Sequence, residues 1–435
     1  MDKKEENLHS YGVLTKEQNR LVTETDPQTP GGELMRRYWQ PAALSEELGA
    51  DPLPVRVLGE DLVLFRDAAG KPALVERQCP HRLADLSYGF LDRGTLRCIY
   101  HGWLFDGTGR CLEQPGEPAD STYKERVRLT AYPCFESNGI ILTYMGSGEA
   151  PPVPALPFLT APPESVWVTK AMHDCNYLQA SEGNVDPQHL SFLHRTFAAN
   201  DPHLADVQRL IAVDVAPEIE LEETPFGFRI CAMRNTAGGR YVLITNFIMP
   251  NNSAFQGTPV VDPAVERIDD NSAYQMHWHV PIDNESHWKY QIYYRLDGPV
   301  DKPFLQRILA AEDEPYNRRR RASNRYLQDR NEQGTRSLAG MGYNFQDQDR
   351  YATESQGRIL DRSREHLAAT DKGVALMRKY LLRAIEDVAA GKDPVAVTRD
   401  AAENPFADMV VIGKEVATGT DVSTLWKRRE PQPVR

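Results

Sequence analysis

The sequence predicts an α+β chain in which a small all-β domain precedes a larger domain of helices and antiparallel sheet, and three observations predict it. From about Pro41 to Gly146 short strands such as Val55–Leu58 and Leu62–Phe65 are punctuated by Gly and Pro. A proline-rich connector, Pro151-Pro152-Val153-Pro154-Ala155-Leu156-Pro157, then marks a boundary. Beyond it, a helix-and-turn stretch over about 176–195 leads into longer strands at 227–230, 241–249 and 288–294.

In chain order, the turn-like Pro27–Gly32 precedes a helix over Glu33–Trp39, and residues 1–40 are expected to pack as a helical segment on the larger domain. Residues 41–150 form the small domain and 151–435 the larger one. The stretch 251–271, with several Pro, Gly and Asp, reads as a long surface loop. After Asp301 the chain turns helical and closes on Val374–Ile385, whose apolar residues recur at helical spacing.

At 435 residues, 41% hydrophobic and 26% charged, this is an ordinary globular composition with room for two or three domains. The net charge of −12, from 50 basic and 62 acidic residues, argues against nucleic acid or an anionic membrane as a general partner. The exception, Arg318-Arg319-Arg320-Arg321, is expected on a solvated or interface helix face. No apolar run is long enough to span a bilayer and the start Met1-Asp2-Lys3-Lys4-Glu5-Glu6 is no signal peptide, so a cytoplasmic protein is expected. Six cysteines make no disulfide framework.

Two of those cysteines carry chemistry. Cys79-Pro80-His81 is followed, after sixteen residues, by Cys98-Ile99-Tyr100-His101-Gly102-Trp103. Two thiolates and two imidazoles in matched pairs are the ligand set of a Rieske [2Fe–2S] centre, Cys79 and Cys98 on one iron and His81 and His101 on the other. A structural zinc site also takes two Cys and two His, but usually as C-x2-4-C and H-x3-5-H. Cys111, Cys134, Cys175 and Cys231 have no ligand spacing and are expected as buried thiols.

A one-electron relay needs an acceptor. His189 and His194, five residues apart in Asp186-Pro187-Gln188-His189-Leu190-Ser191-Phe192-Leu193-His194, are a weak metal signal alone. With a carboxylate they would form the 2-His-1-carboxylate triad of a mononuclear Fe(II) that keeps positions open for O2. No GxGxxG fingerprint follows a strand, so NAD(P)H is expected to be used only indirectly, through another polypeptide.

The stretch from His101 to Pro115 resembles the Rieske domains of aromatic-ring-hydroxylating oxygenases. Asn176-x-x-Gln179-x-x-Glu182-Gly183-x-x-Asp186-x-x-His189-x4-His194 resembles the catalytic signature of their alpha (oxygenase) subunits, in particular the phthalate-dioxygenase-like branch, which also holds demethylases and aryl-ether-cleaving enzymes. Gln348-Asp349-x4-Glu354-Ser355-x-Gly357 resembles that branch's carboxylate region. The resemblance implies a helix-grip, START-like catalytic domain with Asp349 as third iron ligand; Asp347 is the competing choice, and its replacement by Ala is expected to be mild.

The resemblance also implies a separate flavin and iron–sulfur reductase and a homotrimer, or stacked trimers, in which the cluster of one subunit serves its neighbour's iron. Asp186 would then connect His189 to the neighbour's His101, beside a plainer role as a helix cap before Pro187. Asn176 and Gln179 could order water or oxygen near the iron, or serve structure; Glu182-Gly183 is expected to be structural. The implied reaction is dihydroxylation of a small aromatic acid, with O- or N-dealkylation or aryl-ether cleavage as the alternative and a Rieske electron carrier without oxygenase activity as a further one. Some relatives carry an arginine near the position of Leu243; this chain has none there, leaving Arg234 and Arg240 as candidates for a substrate carboxylate.

Overall fold

The computed structural model describes residues 12–197, 210–257, 272–309, 313–314 and 317–425. It has the expected α+β architecture, a small all-β domain beside a larger antiparallel sheet with helices. Helix α1 (Lys16–Thr23) opens with a capping box between Thr15 and Gln18, and α2 (Pro30–Arg36) with Thr29 as N-cap and Pro30 at the first turn. Both pack against the C-terminal helix.

The sequence places α2 too late. Its helix begins at Pro30, and at Trp39 the backbone has passed to strand β1 (Trp39–Leu44), whose groups pair with β11 (Ile140–Tyr144), itself paired with β10 (Cys134–Ser137). The buried Arg36 guanidinium takes up loose carbonyls at the junction, donating to Thr25 O, Gly32 O and Leu58 O and pairing with Glu60 at 2.8 Å.

Between these paired ends lie two four-stranded sheets. One has the order β2 (Leu53–Val57), β3 (Glu60–Arg66), β4 (Pro72–Glu76), β9 (Ala131–Tyr132). The other runs β5 (Phe90–Asp92), β6 (Thr95–Arg97), β7 (Leu104–Phe105), β8 (Cys111–Glu113). A compact apolar cluster of Val63, Phe65, Val75, Leu96 and Phe105 joins them and encloses Cys79 and Cys98.

The larger domain is built on an eight-stranded antiparallel sheet, ordered β12 (Val166–His173), β18 (Ser286–Arg295), β17 (Ala273–Asp283), β16 (Asn252–Gln256), β15 (Gly239–Ile248), β14 (Gly227–Thr236), β13 (Glu218–Thr224). The eighth strand, β19 (Ile412–Val416), pairs with β15 over Arg240–Ile244. Residues 251–271 are therefore not one loop: Asn252–Gln256 is an interior strand between β15 and β17, and residues 258–271 lie outside the described ones.

Strands β17 and β18 alternate strictly. Tyr274, Met276, Trp278 and Val280 with Tyr290, Ile292 and Tyr294 enter the main apolar core, whereas Gln275, His277, His279, Lys289 and Gln291 occupy the other face. Both faces are buried, so the polar face has to be satisfied internally.

Helices α3 (Tyr177–Asn184), α4 (Phe345–Glu354) and α5 (Lys372–Ala389) complete the domain. Gly373 in α5 lets that helix approach the turn after α3: a Cβ there would stand 2.4 Å from Val185 O. The Arg318–Arg321 run is not helical. Asn317–Arg318 is a short strand and a 3₁₀ turn starts only at Ala322, while Arg320 turns inward to Asp347, Nε to Oδ2 at 3.4 Å. No helix among the described residues is long and apolar enough to cross a membrane.

Candidate metal centres and the cavity beside the triad

In the small domain two loops repeat one backbone geometry. The Leu83 N–H donates to Cys79 O (2.8 Å) and the Gly102 N–H to Cys98 O (3.0 Å), while Cys79 N donates to Ala84 O and Cys98 N to Trp103 O. Each loop needs a residue in the left-handed region four places after its cysteine, Leu83 at φ 59° and Gly102 at φ 72°. The repeated geometry brings the His81 and His101 rings to 4.4 Å between centroids, with Trp103 stacked on His81 at 4.5 Å. Both histidines are exposed and both cysteines buried.

Cys79 and Cys98 form no disulfide. Burial pushes the Cys79 thiol up to about 12, with the neighbouring Cys98 adding to the rise. An anionic sulfur in this place needs a cation, and two buried thiols facing two convergent imidazoles are a donor set that suits a mixed thiolate–imidazole cluster.

In the larger domain the turn after α3 carries the second pair. His189 opens a short 3₁₀ turn, His189–Ser191, and the chain then bends so that His194 returns, 4.9 Å from His189 between ring centroids. This local break converges a spacing that an ideal helix would splay. Each ring is fixed through its Nδ1. His189 Nδ1 faces the backbone carbonyl of Asp186, and His194 Nδ1 lies 2.8 Å from Gln348 Oε1. Gln348 presents its oxygen there because its amide donates to Gly342 O (2.9 Å). Acceptors at both Nδ1 atoms turn each Nε2 toward the position a metal would take.

Those Nε2 atoms point at one carboxylate. Asp349 Oδ1 stands 3.0 Å from His194 Nε2 and 3.8 Å from His189 Nε2, and one ligand atom from each of the three residues lies within 4.8 Å of the others. Burial alone would raise the Asp349 carboxyl; His194, Lys289 and His189 hold it well below the usual carboxylate range instead. Two imidazoles and a carboxylate converging from one side fit a facial triad. Asp347 is turned away, 2% exposed, between Arg350 (3.5 Å) and Arg320.

The remaining signature residues separate by role. Asp186 Oδ1 accepts from Gln188 N (2.9 Å) across Pro187, and Oδ2 lies 3.7 Å from His189 Nδ1. Asn176 is not on the approach to the triad. It caps α3, accepting from Leu178 N, and its amide donates to Thr23 O and Asn284 O. Gln179, though beside the cavity, is likewise engaged with Thr353 O, Gly357 O and Leu360 N. Neither arginine candidate reaches the cavity: Arg234 is buried on Pro187 O and Ser191 Oγ, and Arg240 pairs with Glu218 at 3.1 Å.

Glu182 braces α3 against two buried guanidinia, Arg362 (2.8 Å) and Arg378 (2.7 Å). Burial works to raise its pKa, but the two arginines outweigh it and hold the group low. Glu182→Ala should therefore cost about 3–5 kcal/mol, read as a lower denaturant midpoint, because Arg362 loses its carboxylate inside the protein. A lowered folded pKa means that this contribution is present above the unfolded value, about 4.3, and is lost as pH falls through the folded one. The variant's stability should accordingly fall less steeply with acid than that of the parent.

A cavity of about 470 Å³ opens beside the triad. Leu190, Leu193, Ile211 and Leu243 give it apolar lining, while Gln275, His277, Lys289 and Gln346 give it polar lining, with Phe255 beside His277 at 5.0 Å between ring centroids. Sequence reasoning missed this polar strip, although its signal is the alternation Gln275-x-His277-x-His279 and Lys289-x-Gln291 in strands otherwise rich in aromatic residues.

Residues 38–133 match the family of the Rieske [2Fe-2S] domain, and residues 143–425 the family described as LigXa C-terminal domain like. The chain is 32% identical to the phthalate 4,5-dioxygenase oxygenase subunit of Pseudomonas putida, covering 93% of this chain and 94% of that one. It is 30% identical to the 5,5'-dehydrodivanillate O-demethylase oxygenase subunit of Sphingobium sp., covering 93% and 88%. Among solved structures, dicamba monooxygenase bound to 3,6-dichlorosalicylic acid is similar with a TM-score of 0.54 at 20% identity, over 82% of this chain and 98% of that one. The oxygenase–ferredoxin complex of carbazole 1,9a-dioxygenase gives 0.58 at 18%, over 90% and 99%.

Proposed function

The chain belongs to the Rieske non-haem iron oxygenases, as an oxygenase subunit of the phthalate-dioxygenase-like branch, and on that premise we propose that it is the terminal oxygenase for a small aromatic acid. It is an oxidoreductase with a Rieske [2Fe–2S] cluster and a mononuclear iron, which when bound supply electron relay and O2 activation for insertion of oxygen into an organic substrate. Electrons come from a separate reductase or ferredoxin partner.

The observation that carries the reading is the convergence of His189, His194 and Asp349 on the lining of a mainly apolar cavity. An electron carrier would need neither. The chain's own residues supply ligation through Nε2 and carboxylate atoms, orientation of each imidazole through its Nδ1, and an apolar wall that keeps bulk water from the substrate ring. Ring dihydroxylation follows the likeness to the phthalate dioxygenase. The 30% likeness to an O-demethylase over 93% of this chain favours demethylation as a second reading, since both outcomes use the same iron site and differ in substrate pose.

Leu83, Ile99 and Tyr100, around the exposed His81 and His101, have relative exposures of 64%, 63% and 53%. Such an apolar rim around two ligands supports coverage by a second copy of this chain, most simply in a trimeric ring whose cluster serves the neighbouring subunit's iron through Asp186. Aerobic turnover with a flavin iron–sulfur reductase, NAD(P)H and a panel of benzoates, phthalates and methoxybenzoates should yield products labelled from ¹⁸O2. Reduction of the cluster without any labelled product across such a panel would leave the electron-carrier reading standing instead.

A further inference from the structure

On β17 and β18 the polar strip behind the cavity is a hydrogen-bonded chain with one direction. His287 Nδ1 donates to Cys175 O (2.7 Å), so its Nε2 must accept from His279 Nδ1 (3.1 Å). His279 Nε2 then accepts from the Asn184 amide (2.8 Å), and Asn184 Oδ1 from His277 Nδ1 (3.3 Å). His277 Nε2 is left to accept from Gln275 (2.7 Å) and from the Gln346 amide nitrogen (3.4 Å). Burial keeps these imidazoles neutral, drawing His287 down to about 4. A backbone carbonyl that can only accept thus sets every tautomer up to Gln346, whose oxygen has to face the Lys289 ammonium.

Lys289 is a cation with a side chain 2% exposed, at the polar end of the cavity. Gln346 takes one of its three N–H donors, and Asp349 Oδ2 lies at 3.9 Å, beyond hydrogen-bond reach. A metal ion at the triad would satisfy Asp349, leaving the ammonium facing the space where a substrate ring meets the apolar wall. Burying an ammonium is costly, and a ligand oxyanion would offset that cost, since among the described residues Asp349 is the one carboxylate that pairs with Lys289.

We propose that Lys289 is the specificity residue of the cavity, receiving an oxyanion borne on the aromatic ring, with Gln346 and His277 holding the ammonium in place. The proposal rests on the oxygenase reading but is tested without turnover. With anaerobic holoenzyme, benzoate should bind about ten- to a hundredfold more tightly than benzamide, the worth of a charge-assisted hydrogen bond. In Lys289→Met benzoate should lose that advantage while benzamide binding stays within about twofold; Lys289→Arg should recover part of it and guards against a folding defect in the Met variant. A parallel pair, 4-nitrophenolate against nitrobenzene, distinguishes a phenolate from a carboxylate as the preferred oxyanion.

Two results overturn the proposal: no preference for either anion in the parent protein, or a preference that survives Lys289→Met. A Lys289→Met protein that loses mononuclear iron with the benzoate to benzamide ratio unchanged makes Lys289 a positioning residue for Asp349 and likewise overturns it. Failure of the oxygenase reading looks different, since anion preference would then persist without labelled product.

Discussion

Asp349→Ala is expected to abolish product formation and to empty the mononuclear site, while the visible absorption and EPR signal of the Rieske cluster remain. Among the described residues the carboxylate is the one charged group within 4.0 Å of both Nε2 atoms, at 3.0 and 3.8 Å, and two neutral imidazoles alone hold a divalent iron weakly. Asp347→Ala is the informative partner. Sequence reasoning expects it to be mild, but the structure buries Asp347 between Arg350 and Arg320, so its loss should lower stability by about 3 kcal/mol with iron content preserved. Metal analysis and melting temperature on the two variants separate the roles. An Asp347→Ala protein that loses iron, beside an Asp349→Ala protein that keeps it, would invert the ligand assignment.

Asp186→Asn should leave the fold and both metal sites loaded yet slow oxidation of the reduced Rieske centre in a single turnover by about 10- to 100-fold, the range in which groups behind metal ligands act. The geometry makes this substitution clean. His189 is oriented by the backbone carbonyl of Asp186, which asparagine keeps, and the amide oxygen can still accept from Gln188 N. What disappears is the charge at Oδ2, 3.7 Å from His189, the atom proposed to connect His189 to a neighbour's cluster. Light scattering on the same samples should report a trimer or its multiple. A fast single turnover in Asp186→Asn, or a fully active monomer, would reduce Asp186 to a turn-forming residue.

The local motifs were legible because their chemistry is local. Cys79 and His81, Cys98 and His101, and His189 and His194 each sit within one loop or turn, so spacing limits which atoms can converge; the last pair, weak alone, was read as a metal site only through the relay motif and the resemblance. The resemblance chose Asp349 over Asp347, but local sequence gives no physical reason for it: two residues apart on α4, they point about 200° from each other, and packing decides which side meets the histidines. Asn176 was left between two roles because an N-cap amide and a cavity amide look alike in sequence; Thr23 O and Asn284 O claim it only once distant segments meet. The strand at Asn252–Gln256 was lost to its turn-forming neighbours, since pairing partners on β15 and β17 supply the backbone bonds that local propensity does not. By itself, then, the sequence determined the α+β class, the Rieske cluster and the oxygenase class, and it proposed the iron ligand types. The register of β17 against β18, which sets His279 opposite Lys289, and the phase of α4 decided what else faces the iron, because pairing and packing energies act between residues that no short spacing connects.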